Sequence, residues 1–159
     1  MDYLWSPWRY PYLTAQHKPE GCIFCLMTTA SDEDALVVHC GEHNFVVLNR
    51  YPYTTGHLMI APYRHAPDLA GLSEAAANEM MALTRAAERH LRWLYHPDGL
   101  NLGMNIGASA GAGVAGHVHM HVLPRWTGDG SFMTTVSETR VLPEALDVTY
   151  ERVKAALSA

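Results

Sequence analysis

The 159-residue sequence holds only three cysteines, an odd number that excludes a framework of paired disulfides and points to reduced thiols. No apolar stretch approaches the ~20 residues needed to cross a bilayer, and the opening Met1-Asp-Tyr-Leu-Trp-Ser lacks the basic and apolar regions of a secretory signal. The expectation is a cytoplasmic protein with no membrane partner. A formal net charge of -5 excludes the broad basic footprint needed to coat a nucleic-acid polymer, although a few local cations could still hold a small anion. There is neither an internal repeat nor a long linker, so residues 1–159 read as one domain around a single core.

What is present is strongly patterned. Residues 1–20 are rich in aromatics and proline without a period, which predicts an N-terminal arm with little regular structure. Ala35–Cys40 and Phe45–Asn49 are β-prone and separated by a turn, and Gly56–Pro62 forms a third strand. From the N-cap candidate Ser73, Met80, Leu83, Ala87, Leu91 and Leu94 recur at spacings of three and four, the mark of one buried face on a long helix. Pro97-Asp98-Gly99 ends it. Leu100, Leu102, Met104 and Ile106 alternate with polar or small residues and predict a half-buried strand. Leu142, Leu146, Tyr150, Val153 and Leu157 predict a last helix within 140–159. Strands joined by a hairpin, one long helix and a loop give an antiparallel sheet of about five strands with helices on one side, an α+β fold.

His117-Val118-His119-Met120-His121 carries the chemistry. In an extended chain alternate residues share a face, so three imidazoles would line one surface while Val118, Met120 and Val122 enter a core. The run of small residues Gly107–Gly116 lies just upstream, and its amides can approach an anion closely. Imidazoles beside an anion cradle suggest phosphate chemistry. Cys22 and Cys25 have the C-x-x-C spacing of a metal knuckle, whereas Cys40, alone in a strand, reads as a core residue. Their plain alternative is two reduced thiols packed as small hydrophobes. Asn49 could equally cap a turn before Pro52, and His57 could be a hydrogen-bonded core histidine. His17, His39, His43, His90 and His96 show no constellation and read as surface groups.

GHVHMHVLPRW at 116–126 resembles the signature of the histidine triad superfamily, in which three histidines alternate with apolar residues. LNRYPYTTGHLMIAPYRH at 48–65 looks like that family's nucleotide-side strand pair, and NIGASAGAG at 105–113 like its phosphate loop. Together with the opening LWSPWRY, these segments are most similar to the branch of diadenosine tetraphosphate phosphorylases and diadenosine polyphosphate hydrolases. The resemblance implies a HIT-like fold and a small-molecule nucleotide as substrate. It implies that His119 attacks the α-phosphate to form a nucleotidyl-histidine that water or phosphate releases, a task suited to a neutral imidazole. It assigns phosphate contacts to His121, Asn105 and the backbone of Gly111, Gly113 and Val114, ribose contacts to Asn49, and part of the nucleoside pocket to His57. It further implies zinc held by Cys22, Cys25, His65 and His117, and a homodimer. One departure stands out: relatives often carry a hydroxyl residue just before the triad, where this chain reads Gly113-Val114-Ala115-Gly116, and Ser109 is the loop's lone hydroxyl. Two other readings compete, a nucleotide-binding module without turnover and a catalytic metal centre built on all three histidines.

Overall fold

The computed structural model describes residues 21–130 and 142–158. The expected N-terminal arm, with Trp5, Trp8, Arg9 and His17, lies outside these described residues. Five strands, β1 (Val37–Cys40), β2 (Asn44–Leu48), β3 (Leu58–Pro62), β4 (Gly99–Gly103) and β5 (Met120–Arg125), form one antiparallel sheet in the order β1-β2-β3-β5-β4. Four helices accompany it among the described residues: α1 (Ile23–Met27), α2 (Asp32–Ala35), the 22-residue α3 (Glu74–Tyr95) and α4 (Leu146–Leu157).

The period of two sorts side chains onto two covered faces. Val46 and Leu48 of β2, Leu58 and Ile60 of β3, and Met120 and Val122 of β5 pack with Met80, Ala87 and Leu91 of α3 and Tyr150 and Val153 of α4. Phe45, Val47, Met59 and Ala61 point the other way and gather Phe24 of α1 and Ala35 of α2. The two long helices thus share one face, as the sequence predicts, while the two short ones close the other. Ser73 does cap α3, its side chain accepting from the Ala76 amide.

Several boundaries shift for physical reasons. β5 runs through Pro124 to Arg125, and β3 pairs only as far as Val122, so among the described residues Pro124 lies where β5 is paired with β4 alone. The expected half-buried strand over 100–106 is an edge strand ending at Gly103, with Leu102 and Ile106 exposed. Cys40 ends β1 at the opposite edge and is exposed, which corrects its reading as a core residue.

One carboxylate ties the β1–β2 turn to α3. Glu79 accepts from the amides of Glu42 (2.6 Å) and His43 (2.8 Å) and from Asn44 Nδ2 (2.7 Å). Burial acts to raise this carboxyl's pKa, but the Asn44 side chain and the amide donors outweigh it and hold it below its ordinary value. A depressed carboxylate contributes stability above its unfolded pKa and loses it as pH falls through the folded value. Glu79→Ala is therefore expected to cost about 2 kcal/mol in urea unfolding at pH 7. That difference should shrink as the pH is lowered through the carboxylate range, and a deficit independent of pH would contradict the assignment.

Candidate active site

The register of β3 and β5 decides where the imidazoles lie. His121 pairs with Met59, so both point to the face opposite α3 and α4. His117 and His119 precede β5, His117 at the bend that closes the 113–116 turn, with Val118 N–H donating to the Ala66 carbonyl at 2.7 Å. The lead-in keeps the alternation, and His117 and His119 are 0% and 5% exposed. At such burial the polar neighbours of each ring decide which nitrogen carries the proton, and they fix three different states.

His119 Nδ1 lies 2.9 Å from the His117 carbonyl, which can only accept, so the proton sits on Nδ1 and Nε2 keeps its lone pair. His57 is fixed next. The Tyr53 amide donates to His57 Nδ1 at 3.2 Å, and Asn49 Nδ2 lies 3.3 Å from the same atom. The His57 proton must then be on Nε2, which donates to His121 Nδ1 at 2.9 Å. His121 accordingly carries its proton on Nε2. The pair therefore presents one nucleophilic nitrogen, on His119, and one N–H donor, on His121. Burial lowers the His119 pKa, and burial followed by repulsion from His119 pushes His121 down to about 4. Both rings are neutral at pH 7.

His117 belongs to a different site. Its Nε2 donates to the Pro62 carbonyl at 2.9 Å, leaving the Nδ1 lone pair 3.2 Å from Cys22 Sγ and 3.7 Å from Cys25 Sγ. Cys25 Sγ is also 3.5 Å from His65 Nδ1. The ligand atoms of Cys22, Cys25, His65 and His117 all lie within 4.8 Å of one another. Tetrahedral bonds of about 2.3 Å to sulfur and 2.0–2.1 Å to nitrogen place neighbouring ligand atoms roughly 3.3–3.8 Å apart, so the cluster fits a metal ion. Burial and then the nearby Cys22 raise the Cys25 thiol pKa, whereas a cation between the two sulfurs would lower it. The three triad histidines do not converge on a shared metal: one faces the thiols, the second holds a carbonyl, and the third is bonded to His57.

The glycine-rich loop contains a 3₁₀ turn, Ala108–Ala110, flanked by Gly107 and Gly111, both at φ 84°, where a side chain would be strained. Gly113, Val114, Ala115 and Gly116 form a largely exposed turn just before the triad, closed by the His117 amide donating to the Val114 carbonyl at 3.3 Å. Asn105 is half-buried at the start of this loop. Asn49 Oδ1 accepts from the Tyr51 amide at 2.9 Å, so the turn-capping role is visible directly. On the helix side of the 49–57 loop a separate cavity of about 230 Å³ is lined by residues including Leu48, Arg50, Thr55, Leu146 and Thr149 and shares His57 with the triad.

The sequence reading passed over α1 and Phe24. Phe24 is 1% exposed, and its ring centroid lies 4.7 Å from that of His119 and 5.1 Å from that of His117. An aromatic residue inside a C-x-x-C pair was the available signal. Tyr53 likewise packs its ring 4.8 Å from His57.

Known proteins resemble this chain in both sequence and fold. A family model described as the HIT domain matches residues 30–128. The chain is 40% identical over 151 residues to a Mycobacterium tuberculosis protein named AP-4-A phosphorylase, covering 90% of this chain and 77% of that protein. A solved Zn-bound histidine triad family protein from Mycobacterium smegmatis superposes with a TM-score of 0.71 at 30% identity, covering 87% of this chain and 94% of that one. A hypothetical histidine triad nucleotide-binding protein from Sulfolobus tokodaii superposes with a TM-score of 0.70 at 25% identity, covering 86% and 92%.

Proposed function

The chain belongs to the histidine triad (HIT) family, and on that premise we propose that it cleaves a dinucleoside polyphosphate, or a related nucleotidyl phosphoester, through His119. The observation that carries this reading is the tautomer of His119, whose Nδ1–H is committed to a carbonyl so that Nε2 is the nucleophile. As the bond from Nε2 to the α-phosphorus forms, the bond from phosphorus to the bridging oxygen breaks and the remaining polyphosphate leaves. The Nε2–H of His121, held by His57, and the backbone amides at 113–116 stabilise charge on the transferring phosphate. A second acceptor then attacks the nucleotidyl-histidine and returns the lone pair to His119. Asn49 and His57 would border the nucleoside, and Asn105, Gly111, Gly113 and Val114 the phosphates.

Likeness to a protein named AP-4-A phosphorylase favours inorganic phosphate as that acceptor. Product analysis with diadenosine tetraphosphate tests it: nucleoside diphosphate appearing with the triphosphate only when phosphate is present supports phosphorolysis. Nucleoside monophosphate formed without phosphate would make the enzyme a hydrolase.

The donor set of two thiolates and two imidazoles suits structural zinc, which when bound would contribute folding free energy and tie residues 22–25 to the sheet. With all four ligands supplied by protein, His117 is a structural ligand and not a catalytic partner. Among the described residues the outer side of β4 is unpaired, and with Leu102 and Ile106 exposed it supports a homodimer formed across that edge. A solution mass of one chain at micromolar concentration would remove the dimer from the account. The reduced state of Cys22, Cys25 and Cys40 fits a cytoplasmic location, and among the described residues no helix is long and apolar enough to cross a membrane.

A further inference from the structure

Phe24 stands between the cysteine cluster and the nucleophile. It is the buried residue of α1, flanked in sequence by Cys22 and Cys25, and its ring meets His119 at 4.7 Å with planes at 42° and His117 at 5.1 Å with planes at 50°. α1 has five residues and no side-chain cap at Cys22. A helix so short does not hold itself in place. Its position depends on anchors: the thiols beside His65 and His117, the partly buried Met27, and the fully buried Phe24 ring.

The same ring answers a need of the catalytic imidazole. The hydrogen bond from His119 Nδ1 to the His117 carbonyl fixes one atom of the ring, but rotation about the bond joining ring and Cβ is intrinsically broad. His121 meets His119 with centroids 4.7 Å apart and planes at 73°, and Phe24 packs against the same imidazole from α1 at an equal centroid distance. A flat, buried ring against the imidazole restricts its tilt, and in-line attack depends on the direction of the Nε2 lone pair.

We propose that Phe24 is a positioning residue for His119, through which the cysteine cluster controls the rate of nucleotidyl transfer as well as the stability of the fold. When the thiols are held, α1 presses the ring against the imidazole; when they are released, the imidazole gains a second orientation. This inference rests on the reading of His119 as the nucleophile.

The test uses the metal-loaded protein and Phe24→Leu, which keeps apolar bulk and removes the flat ring. With metal content and folding verified as wild type, kcat should fall about 10- to 100-fold with KM changed less than about threefold. A second readout does not depend on turnover. In long-range ¹H–¹⁵N spectra of the histidines, wild-type His119 should show the shifts of one fixed tautomer, and Phe24→Leu should show averaged or broadened values. Chelated wild-type protein, held well below its unfolding temperature, should show the same averaging. An unchanged kcat in Phe24→Leu, or a single His119 tautomer retained in both the variant and the chelated protein, would overturn the proposal. If the wild-type protein transfers no nucleotide, the catalytic reading fails separately, and the spectra still decide whether Phe24 holds His119.

Discussion

Replacing His119 by alanine should lower kcat for a dinucleoside tetraphosphate by on the order of 10⁴-fold or more, the scale expected when a covalent nucleophile is removed. Binding should survive with at most a modest loss, because the amides at 113–116, His121 and the Asn49 loop remain in place. The reason for so large an effect is the tautomer. His119 is the triad member whose Nε2 is left as an open lone pair by its own backbone contact, since His121 presents an N–H and His117 turns its lone pair to the thiols. No neighbour can inherit the role. Steady-state kinetics and equilibrium titration of the same preparations separate the outcomes: turnover within tenfold of wild type would place the nucleophile elsewhere. Tight binding by a wild-type protein with no turnover would make this a binding module.

Metal removal is expected to have the second large effect. Cys22 precedes and Cys25 belongs to a five-residue helix with no side-chain cap at its N-terminus, so a metal held by these thiols with His65 and His117 would tie the segment to the sheet. A ligand present at about 1,000 times its dissociation constant stabilises the folded state by about 4 kcal/mol. For a domain of this length that corresponds to a fall in Tm of about 10 °C on chelation or in Cys22→Ser, read by calorimetry alongside elemental analysis. One bound zinc per chain in wild type and none in Cys22→Ser is the expected content. Metal retained in Cys22→Ser but lost in a His119 or His121 variant would move the ion to the triad and contradict the geometry.

Most of the architecture could be read from local patterns because those patterns are local in cause. The spacing of Met80, Ala87 and Leu91 marks the face of α3 that enters the core, and Ser73 marks its start. The alternation of histidine with Val118 and Met120 likewise survives even though His117 and His119 lie outside the strand itself. What could not be read is long-range. Which nitrogen of His117 is free depends on the Pro62 carbonyl, 55 residues away, and the state of His121 depends on His57 and, behind it, the Tyr53 amide. By local pattern alone the three imidazoles are equivalent; the family resemblance divides them into ligand, nucleophile and donor, and the tertiary contacts add which nitrogen each one presents. Cys40 misled because a strand-end residue at a sheet edge has the same local pattern as one in the core. The two short helices were missed on the same scale. α2 had a readable signal in Ser31-x-x-Asp34, where the Ser31 hydroxyl accepts from the Asp34 amide at 3.2 Å, while α1 had none apart from the aromatic between its cysteines.

The most direct measurement of the central claim is capture of the covalent intermediate. Wild-type protein mixed with labelled dinucleoside polyphosphate and quenched within one turnover should retain acid-labile, alkali-stable nucleotide, about one per active chain, mapped by peptide analysis to His119 and absent from His119→Ala. A fully active preparation that never carries label under these conditions, or that carries it on another residue, would contradict nucleophilic catalysis by His119.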